Sequence, residues 1–366
     1  MDLDTKYIKI IHYLLKKIQG STFPNPGVFA LIVESDKKFI SNRIVSFGFT
    51  QFTGRPHAEA VAISGARFFA DKIYTLYSSL EPCCHQGRGE SCVKKILKSK
   101  VNRVVFSIKD PDLRVNGKGM SILKKNGLEV KYNILSDEIK KTYRGYIYNR
   151  TIQRPQVTLK VGCSIDSKIA VKRGQQDFIT NKLVKKIVHN YRAEYDAILV
   201  GGNTINIDNP KLNCRTKGLE YLSPYRIVLS KSLDFDSNSE ILKKRNKKLT
   251  IIFTLESSKR KKEKIKDKCF KLISLKKQNF TLSNIMNELA KFGICNLLVE
   301  GGSKIFTSFL NEDLVDQIII FRSNSFIGSK GQDLLTKNYQ PKQKSFFQSF
   351  FCSVRDNTME VLERKE

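Results

Sequence analysis

Short apolar runs alternate with amphipathic stretches along the first 150 residues. The predicted elements, in chain order, are helix 5–19, strands 27–33 and 43–49, helix 58–69, strand 73–80, helix 92–100, strand 103–108, helix 119–126 and strand 128–134. Such alternation predicts an α/β sheet covered by helices on both faces. A polar, mostly helical segment over 136–155 ends at Pro155, and we place the domain boundary after residue 147.

The remaining residues, 148–366, again show short apolar runs bounded by glycine or turn residues. Strands are predicted at 156–165, 196–202, 225–230, 249–254, 296–302 and 315–321. Helical stretches lie between several of them, which indicates a second α/β domain. The lysine-rich run 259–268 predicts a solvated helix face, and the last forty residues carry one predicted strand at 351–365.

The charge balance is strongly basic, with 65 Lys and Arg against 35 Asp and Glu, a net charge of +30. The lysines are spread along the whole chain and form no basic stripe interleaved with aromatic residues, so we do not expect nucleic acid as a partner. The first 20 residues predict an amphipathic helix and not a signal peptide. With no apolar run of membrane-spanning length and eight scattered cysteines, the sequence favours a cytoplasmic protein without a membrane partner.

Residues 57–92 include a candidate catalytic zinc site, formed by His57, Glu59, Cys83 and Cys92. A catalytic zinc takes three nitrogen or sulfur ligands and keeps one position for water, whose pKa it lowers. Glu59, two residues from the histidine, could carry protons between that water and a leaving amine. This resembles the zinc-deaminase signature H-x-E … P-C-x-x-C, although eight residues separate Cys83 from Cys92 here.

Several other interpretations fit these residues. The cysteines could be packing residues, or Cys84 or His85 could complete a closed structural zinc site. On the level of function, the alternatives are a nucleoside or RNA deaminase with a basic nucleic-acid-binding C-terminal module, and a zinc-stabilised nucleic-acid-binding protein. Loss of activity with zinc retained on substitution of Glu59 would distinguish a catalytic site from a structural one.

The second half shows less specific signals. Two strand ends finish in glycine pairs, Gly201–Gly202 and Gly301–Gly302, and the second pair leads into a predicted helix where phosphate could bind. There is no G-x-G-x-x-G after the first strand, which disfavours a Rossmann dinucleotide fold. Arg192 and Arg215 are suited to binding a phosphate group.

Taken together, the motifs resemble the bifunctional riboflavin-biosynthesis deaminase/reductase family. The resemblance rests on "HAE … SLEPCCHQGRGESC", "FPNPGV", "KDPDLRVNGKG", "TLKVGCSIDSKIA", "DFIT", "YDAILVGGNTINIDNPKLNCR" and "LLVEGG", and it covers about residues 5 to 330. It implies a cytidine-deaminase-like α/β/α sandwich followed by an α/β domain similar to dihydrofolate reductase. The implied reactions are zinc-dependent deamination of 2,5-diamino-6-ribosylamino-4(3H)-pyrimidinone 5′-phosphate and NADPH-dependent reduction of its ribosyl chain to ribityl.

The resemblance also assigns site residues. In the first domain it implies that His57, Cys83 and Cys92 bind zinc, that Glu59 is the proton shuttle, that Cys84 is not a ligand, that Asn25 contacts the pyrimidine, and that His85 and Arg88 lie where a phosphorylated substrate is held. For NADPH it implies Gly162, Phe178, Thr204, Asp208, Gly301, Gly302, Ser303 and Lys304, and for the substrate Lys160, Gln176, Arg192, Leu212, Arg215 and Glu300. Lys160 and Asp208 are the candidates for polarising the sugar carbonyl or imine and relaying a proton, and we expect a homo-oligomer.

The chain departs from the family pattern at several positions. In the first domain these are Phe23 in place of His, and Gly27 and Phe29 in the following turn; in the second, Gln176 stands where Ser is usual and Phe178 where Trp is common. Ser167 replaces a glycine. If that position has a positive φ, serine costs about 1 kcal/mol there.

Overall fold

The structure is a computed structural model that describes residues 2–36, 41–87, 89–172, 174, 179–236, 238–243, 249–256, 259–340 and 345–365, without the side chains at 259–261 and 264. The chain divides into two compact units, Met1–Gln153 and Arg154–Glu366. The division lies six residues beyond the boundary expected from the sequence, after the last helix of the polar segment. Within the described ranges no helix combines the length and the apolar character needed to cross a membrane.

The first unit is built on a five-stranded sheet. Its elements are α1 (Leu3–Leu15), β1 (Phe29–Ser35), β2 (Asn42–Phe49), α2 (Ala58–Gly65), β3 (Ile73–Leu80), α3 (Cys92–Lys98), β4 (Arg103–Ile108), α4 (Lys118–Lys125), β5 (Glu129–Tyr132), α5 (Ser136–Thr142) and α6 (Arg144–Thr151). The strand order is β2-β1-β3-β4-β5, with β1 antiparallel to both neighbours and β3, β4 and β5 parallel. Every residue of β1 is buried, so helices cover both faces of this strand, as the apolar pattern predicts.

Helix α2 is shorter than expected, because it ends at Gly65 and not near Phe69. A Cβ at Gly65 would lie 2.7 Å from Ser46 Oγ, so the helix end lies close against β2. The chain then turns to extended backbone, and Phe68 packs edge-on against Tyr74 with 4.8 Å between ring centroids. The apolar residues after Gly65 therefore cover the sheet from a loop.

The second unit is built on a nine-stranded sheet. Its elements are β6 (Gln156–Cys163), β7 (Lys168–Ala170), α7 (Lys182–Glu194), β8 (Ala197–Gly201), α8 (Gly202–Asp208), β9 (Tyr225–Leu229), β10 (Thr250–Leu255), α9 (Lys259–Lys266), β11 (Lys271–Leu275), α10 (Leu282–Lys291), β12 (Asn296–Val299), α11 (Ser303–Asn311), β13 (Gln317–Ser323), β14 (Gln332–Asp333), β15 (Phe346–Val354) and β16 (Asn357–Arg364). The strand order is β11-β10-β9-β8-β12-β6-β13-β16-β15, parallel from β11 to β13 and antiparallel at β16 and β15.

The order of the strands creates a crevice at the centre of this sheet. Strand β12 inserts between β8 and β6, although it begins 95 residues after the end of β8 and 133 residues after the end of β6. The connections after β6 and β8 therefore diverge, and open α/β sheets bind ligands at such a point, beyond the carboxyl ends of the strands. The two glycine pairs, after β8 and β12, lie at these carboxyl ends.

The end of the chain differs from the expectation of one strand at 351–365. It forms a hairpin of β15 and β16 with a turn at Arg355 and Asp356, and Arg355 has φ 58°. The turn was not predicted because the left-handed position is occupied by arginine and not by glycine or asparagine. The hairpin extends the sheet by two strands beyond β13.

Ser167 has a positive φ, the backbone conformation in which serine is less stable than glycine. Its φ is 59°, in the left-handed region that favours glycine. The residue lies in the turn between β6 and β7, where its amide donates to Ser164 O. The condition under which serine was expected to cost about 1 kcal/mol is therefore met.

Candidate active sites

The three expected zinc ligands are brought together by three different elements. His57 caps the N-terminus of α2, Cys83 follows the end of β3, and Cys92 is the first residue of α3. His57 Nδ1 lies 3.5 Å from Cys83 Sγ and 3.4 Å from Cys92 Sγ, and all three ligand atoms lie within 4.8 Å of one another. In a tetrahedral site with Zn–S of about 2.3 Å and Zn–N of about 2.1 Å, adjacent S and N ligands are about 3.6 Å apart. The donor set therefore fits a zinc ion.

The local electrostatics favour a thiolate at Cys83. A hydrogen bond from Cys92 and the neighbouring His57 lower the pKa of the Cys83 thiol to about 4, although burial opposes this. The Cys92 amide at the start of α3 also donates to Cys83 Sγ at 3.4 Å. Thiolate is the form that binds metal.

Glu59 lies in the first turn of α2 and is almost fully buried, with 3% of its surface exposed. Its Oε2 is 3.4 Å from Cys92 Sγ, so the carboxyl group contacts the ligand cluster. Burial raises the pKa of Glu59 to about 7, with Cys83 adding to the rise and His57 opposing it. A carboxyl group with this environment can hold a proton or give it up close to neutral pH.

A cavity of about 80 Å³ opens beside this cluster. Asn25 lines it as expected, and its Nδ2 donates to Gly54 O at 2.8 Å. His85 also lines it, whereas Arg88 lies outside the described residues. Cys84 Sγ is not part of the ligand cluster; it points instead to Arg114 O at 3.5 Å.

Sequence reasoning missed several residues of this cavity. Arg150 and Tyr146 come from α6, in the segment that the sequence indicated only as a helical bridge, and Asp112 lies in the 109–119 loop. Asp112 pairs with Arg114 Nη2 at 2.6 Å and with Arg150 Nε at 3.4 Å. Arg150 Nε and His85 Nδ1 are buried without a hydrogen bond from the described residues, so the cavity offers polar groups to a ligand.

The 109–119 loop is held in place by one buried carboxylate. Glu81, at the end of β3, accepts from the backbone amides of Asp110, Gly117 and Met120 at 3.2, 2.8 and 3.0 Å. A Cβ at Gly119 would lie 2.4 Å from Pro82 O, so glycine permits the close approach. The loop is thereby fixed against the segment that carries Cys83.

In the second unit, the crevice holds two adjoining cavities of about 260 and 560 Å³. They share Lys160 and Gly162 of β6, Thr204 and Asp208 of α8, Ile169 of β7 and Glu300 after β12. The smaller cavity is also lined by Gly301 and Gly302, and the larger by Arg192, Leu212 and Arg215. The site thus lies where the strand order predicts a ligand.

Glu300 is the centre of a buried ion cluster. Its carboxylate accepts two bonds from Arg192, from Nε at 3.1 Å and Nη2 at 2.8 Å, and lies 3.3 Å from Lys160 Nζ. Burial opposes ionisation, but Arg192 and Lys160 outweigh it and lower the pKa of Glu300 to about 2. Burial raises the pKa of the neighbouring Asp208, and Lys160 partly offsets the rise.

Most of the residues expected in the second site line these cavities. Those that do are Lys160, Gly162, Arg192, Thr204, Asp208, Leu212, Arg215, Glu300, Gly301 and Gly302. Ser303 and Lys304 do not line them; the Ser303 hydroxyl donates instead to Asp333 O. Gln176 and Phe178 lie outside the described residues. His189 and Lys185 were missed, although their spacing to Arg192 places all three on one helical face.

The folds and sites define a class: a zinc-binding deaminase unit followed by a reductase unit of the α/β type. The family model for the cytidine and deoxycytidylate deaminase zinc-binding region matches residues 1–108, and that for the RibD C-terminal domain matches residues 155–362. The riboflavin biosynthesis protein RibD of Aquifex aeolicus is 36% identical over 327 residues, covering 89% of this chain and 88% of that protein. That of Bacillus amyloliquefaciens is 30% identical, covering 89% and 86%.

Solved structures agree over the full length. RibD from Acinetobacter baumannii matches with a TM-score of 0.88 at 26% identity, covering 99% of both chains. A diaminohydroxyphosphoribosylaminopyrimidine deaminase/5-amino-6-(5-phosphoribosylamino)uracil reductase from Thermotoga maritima matches with a TM-score of 0.83 at 29% identity, again over 99% of both. The chain belongs to the RibD family of bifunctional deaminase/reductases of riboflavin biosynthesis, with a zinc-binding deaminase unit and an NADPH-using reductase unit. A RibD reductase domain therefore replaces the alternative of a nucleic-acid-binding C-terminal module.

Proposed function

We propose that the first unit hydrolyses the 2-amino group from 2,5-diamino-6-ribosylamino-4(3H)-pyrimidinone 5′-phosphate, and that the second reduces the ribosyl chain of the product to ribityl. The observation that carries the proposal is the cluster of His57, Cys83 and Cys92 with Glu59 in contact. The Thermotoga maritima protein, similar over 99% of its chain, is named for these two reactions. The substrate class is therefore a phosphorylated pyrimidine.

In the deaminase site, His57, Cys83 and Cys92 would hold zinc, which when bound acidifies a water molecule. Glu59 takes a proton and returns it to the departing amine, so that one water is consumed and one ammonia is released. Asn25 is held by its bond to Gly54 O, which leaves Oδ1 as an acceptor for the pyrimidine. His85 Nδ1 and Arg150 Nε, which have no hydrogen bond from the described residues, are the proposed contacts to the rest of the substrate.

In the reductase site, the proposed NADPH contacts are Gly162, Phe178, Thr204, Asp208, Gly301, Gly302, Ser303 and Lys304. Support comes from Gly162, Thr204, Asp208, Gly301 and Gly302, which line the cavities. The cavity wall at Gly301 and Gly302 carries no side chain, which fits a cofactor seated against the backbone. NADPH supplies the hydride when bound, and the protein supplies orientation and a proton. Asp208, beside Lys160, is the proposed proton donor, since burial favours its protonated form.

For the substrate of the reductase, the proposed contacts are Lys160, Gln176, Arg192, Leu212, Arg215 and Glu300. Lys160 lies on both cavities, where it can polarise the sugar carbonyl or imine. Arg192 donates two hydrogen bonds to Glu300 and so holds that carboxylate toward the cavity. Arg215 is exposed at the rim, where a phosphate group can reach it.

The test is the substitution Glu59→Gln, which keeps the shape of the side chain and removes its proton-carrying group. We expect ammonia release to fall by about 100-fold or more, with zinc content unchanged and NADPH oxidation on the deaminated substrate intact. Glu34→Gln is the matched control, because Glu34 is also buried but is bonded to Tyr74 and Arg43. Full ammonia release by the Glu59 variant would refute the role of Glu59.

We also propose that the protein acts in the cytoplasm as a homo-oligomer. All eight cysteines are free, which suits a reducing compartment. The edge strand β15 carries no charged residue and exposes Phe347, Phe350 and Phe351 at 41%, 50% and 50%. Uncharged apolar edges are normally covered. A single monomeric species in sedimentation would contradict the oligomer.

A further inference from the structure

One face of α7 lines the larger reductase cavity with basic residues. Lys185, His189 and Arg192 are spaced at i, i+4 and i+7, which places them on one side of a helix. Val184 and Val188, on the adjacent side, pack into the core with β13 and β16. The helix is therefore anchored by its apolar residues while His189 faces the cavity.

The tautomer of His189 is determined by its neighbour. Its Nδ1 lies 3.1 Å from the carbonyl oxygen of Asn213. A carbonyl only accepts hydrogen bonds, so Nδ1 carries the hydrogen and, in the neutral ring, Nε2 carries a lone pair. Across the part of the chain that the structure describes, Nε2 has no protein partner, so it is available to a ligand in the cavity.

Asn213 organises two further groups at this end of the cavity. Its carbonyl also accepts from Arg192 Nη1 at 3.3 Å, and its Oδ1 accepts from Arg215 Nη1 at 3.3 Å. Arg192 is already paired with Glu300, so its charge is largely balanced within the protein. Arg215 and Lys211, from the loop that follows α8, add positive charge. An anionic ligand group is therefore drawn to the end of the cavity where His189 lies.

We propose that His189 is a substrate-binding residue whose Nε2 donates to the phosphate group, and that the site takes up a proton when the phosphate binds. The inference rests on the proposed function, which supplies a phosphorylated substrate. The reason is geometric. Because Nδ1 donates to Asn213 O, a neutral ring would direct the lone pair of Nε2 at a phosphate oxygen, which would be repulsive. Only the doubly protonated ring donates from both nitrogens.

The charged groups around His189 determine how the affinity for phosphate changes with pH. Burial, Arg192 and Arg215 together lower the pKa of His189 to about 4, although the bond to Asn213 and the charge of Glu300 oppose them. The other charged groups lining the cavity are Lys160, Lys185, Asp208 and Lys211. The free ring is thus neutral at pH 7, and a phosphate dianion beside it raises its pKa. Affinity for phosphate therefore falls as pH rises through the raised pKa.

The experiment is calorimetric titration of the full-length protein, loaded with NADPH, with ribose 5-phosphate at pH 7.5. At this pH the phosphate, with a second pKa of about 6, is mostly a dianion. Titrations in two buffers of different ionisation enthalpy give the number of protons taken up. We expect a measurable uptake for the wild type, and for His189→Gln no uptake and about tenfold weaker binding, because glutamine donates without a charge.

His12→Gln is the control, since His12 belongs to the first unit and bonds to Thr142. Retention of NADPH binding by His189→Gln verifies that the variant is folded. The same proton uptake and affinity in His189→Gln would overturn the inference, as would wild-type protein that reduces its substrate but binds ribose 5-phosphate without proton uptake. Wild-type protein that neither reduces the phosphorylated substrate nor binds ribose 5-phosphate would overturn the proposed function itself.

Discussion

Replacing Glu300 by Gln tests the ion cluster on which the reductase site is built. The substitution keeps the shape of the side chain but leaves Arg192 and Lys160 without their counter-charge. The three side chains are only 10%, 13% and 17% exposed, so water cannot replace the lost carboxylate well. We therefore expect E300Q to lower the free energy of unfolding of the second unit substantially.

Two independent arguments give a similar size for the fall in the free energy of unfolding caused by E300Q. The fall of the Glu300 pKa from 4.5 to about 2 corresponds to about 3 kcal/mol at about 1.4 kcal/mol per pH unit. Removing one partner from a buried ion pair costs about 3–5 kcal/mol in other proteins. For a domain of this size, about 3 kcal/mol lowers the melting temperature by about 10 °C.

The assay is thermal unfolding of the full chain, followed by a signal from the second unit, at pH values from 7 down to 3. Because the folded pKa of Glu300 lies below its unfolded value, its contribution is complete above about pH 4.5 and is lost as pH falls toward 2. The difference between wild type and E300Q should therefore be constant near neutral pH and shrink below pH 4.5.

The control is Glu288→Gln, which removes an ion pair with Lys291 on the surface. Those side chains are 34% and 64% exposed, so we expect a change below about 0.5 kcal/mol. Equal melting temperatures for E300Q and the Glu288 variant at pH 7 would refute the reasoning. A difference between wild type and E300Q that persists unchanged at pH 3 would refute it as well.

Two further predictions concern backbone positions. Ser167→Gly should raise the free energy of unfolding of the second unit by about 1 kcal/mol, because φ is 59° there; denaturant unfolding checks this, and an unchanged midpoint would contradict the strain. Gly301→Ala should reduce NADPH binding while ammonia release continues, because its Cβ would lie 2.6 Å from Ile305 Cβ and displace the wall of the cavity; a cofactor titration that matches wild type would contradict this.

The zinc cluster was predictable from the sequence because its residue types are rare and chemically specific. His57, Cys83 and Cys92 coincide with the ends of a strand and two helices, which apolar periodicity also predicts. The departure at Ser167 drew attention to a turn whose φ of 59° only the structure shows. Each of these inferences needed only local information or a known pattern.

Long-range pairing was not predictable. Nothing in the spacing of Arg192 and Glu300, 108 residues apart, indicates that they form a bidentate ion pair. Arg150 reaches the deaminase cavity because α6 packs there, and its local sequence resembles any polar helix. The C-terminal hairpin was not predicted because its turn places Arg355 at a φ of 58°, and arginine is not a residue that indicates this conformation. Such features depend on where the sheets bring distant segments together.

Glu59 and Glu300 show how neighbours decide what a buried carboxyl group can do. Both are removed from water, and burial alone raises the pKa of each. Beside Glu59 lies Cys83, which supports the rise, whereas His57 and a hydrogen bond from Cys92 only partly oppose it, so Glu59 can exchange a proton near neutral pH. Beside Glu300 lie Arg192 and Lys160, which lower its pKa below the usual value. Glu300 therefore stays ionised and orients these two cationic side chains. This contrast supports the proposal that Glu59 carries the proton of the deamination, and that Asp208, whose pKa burial raises, supplies the proton of the reduction.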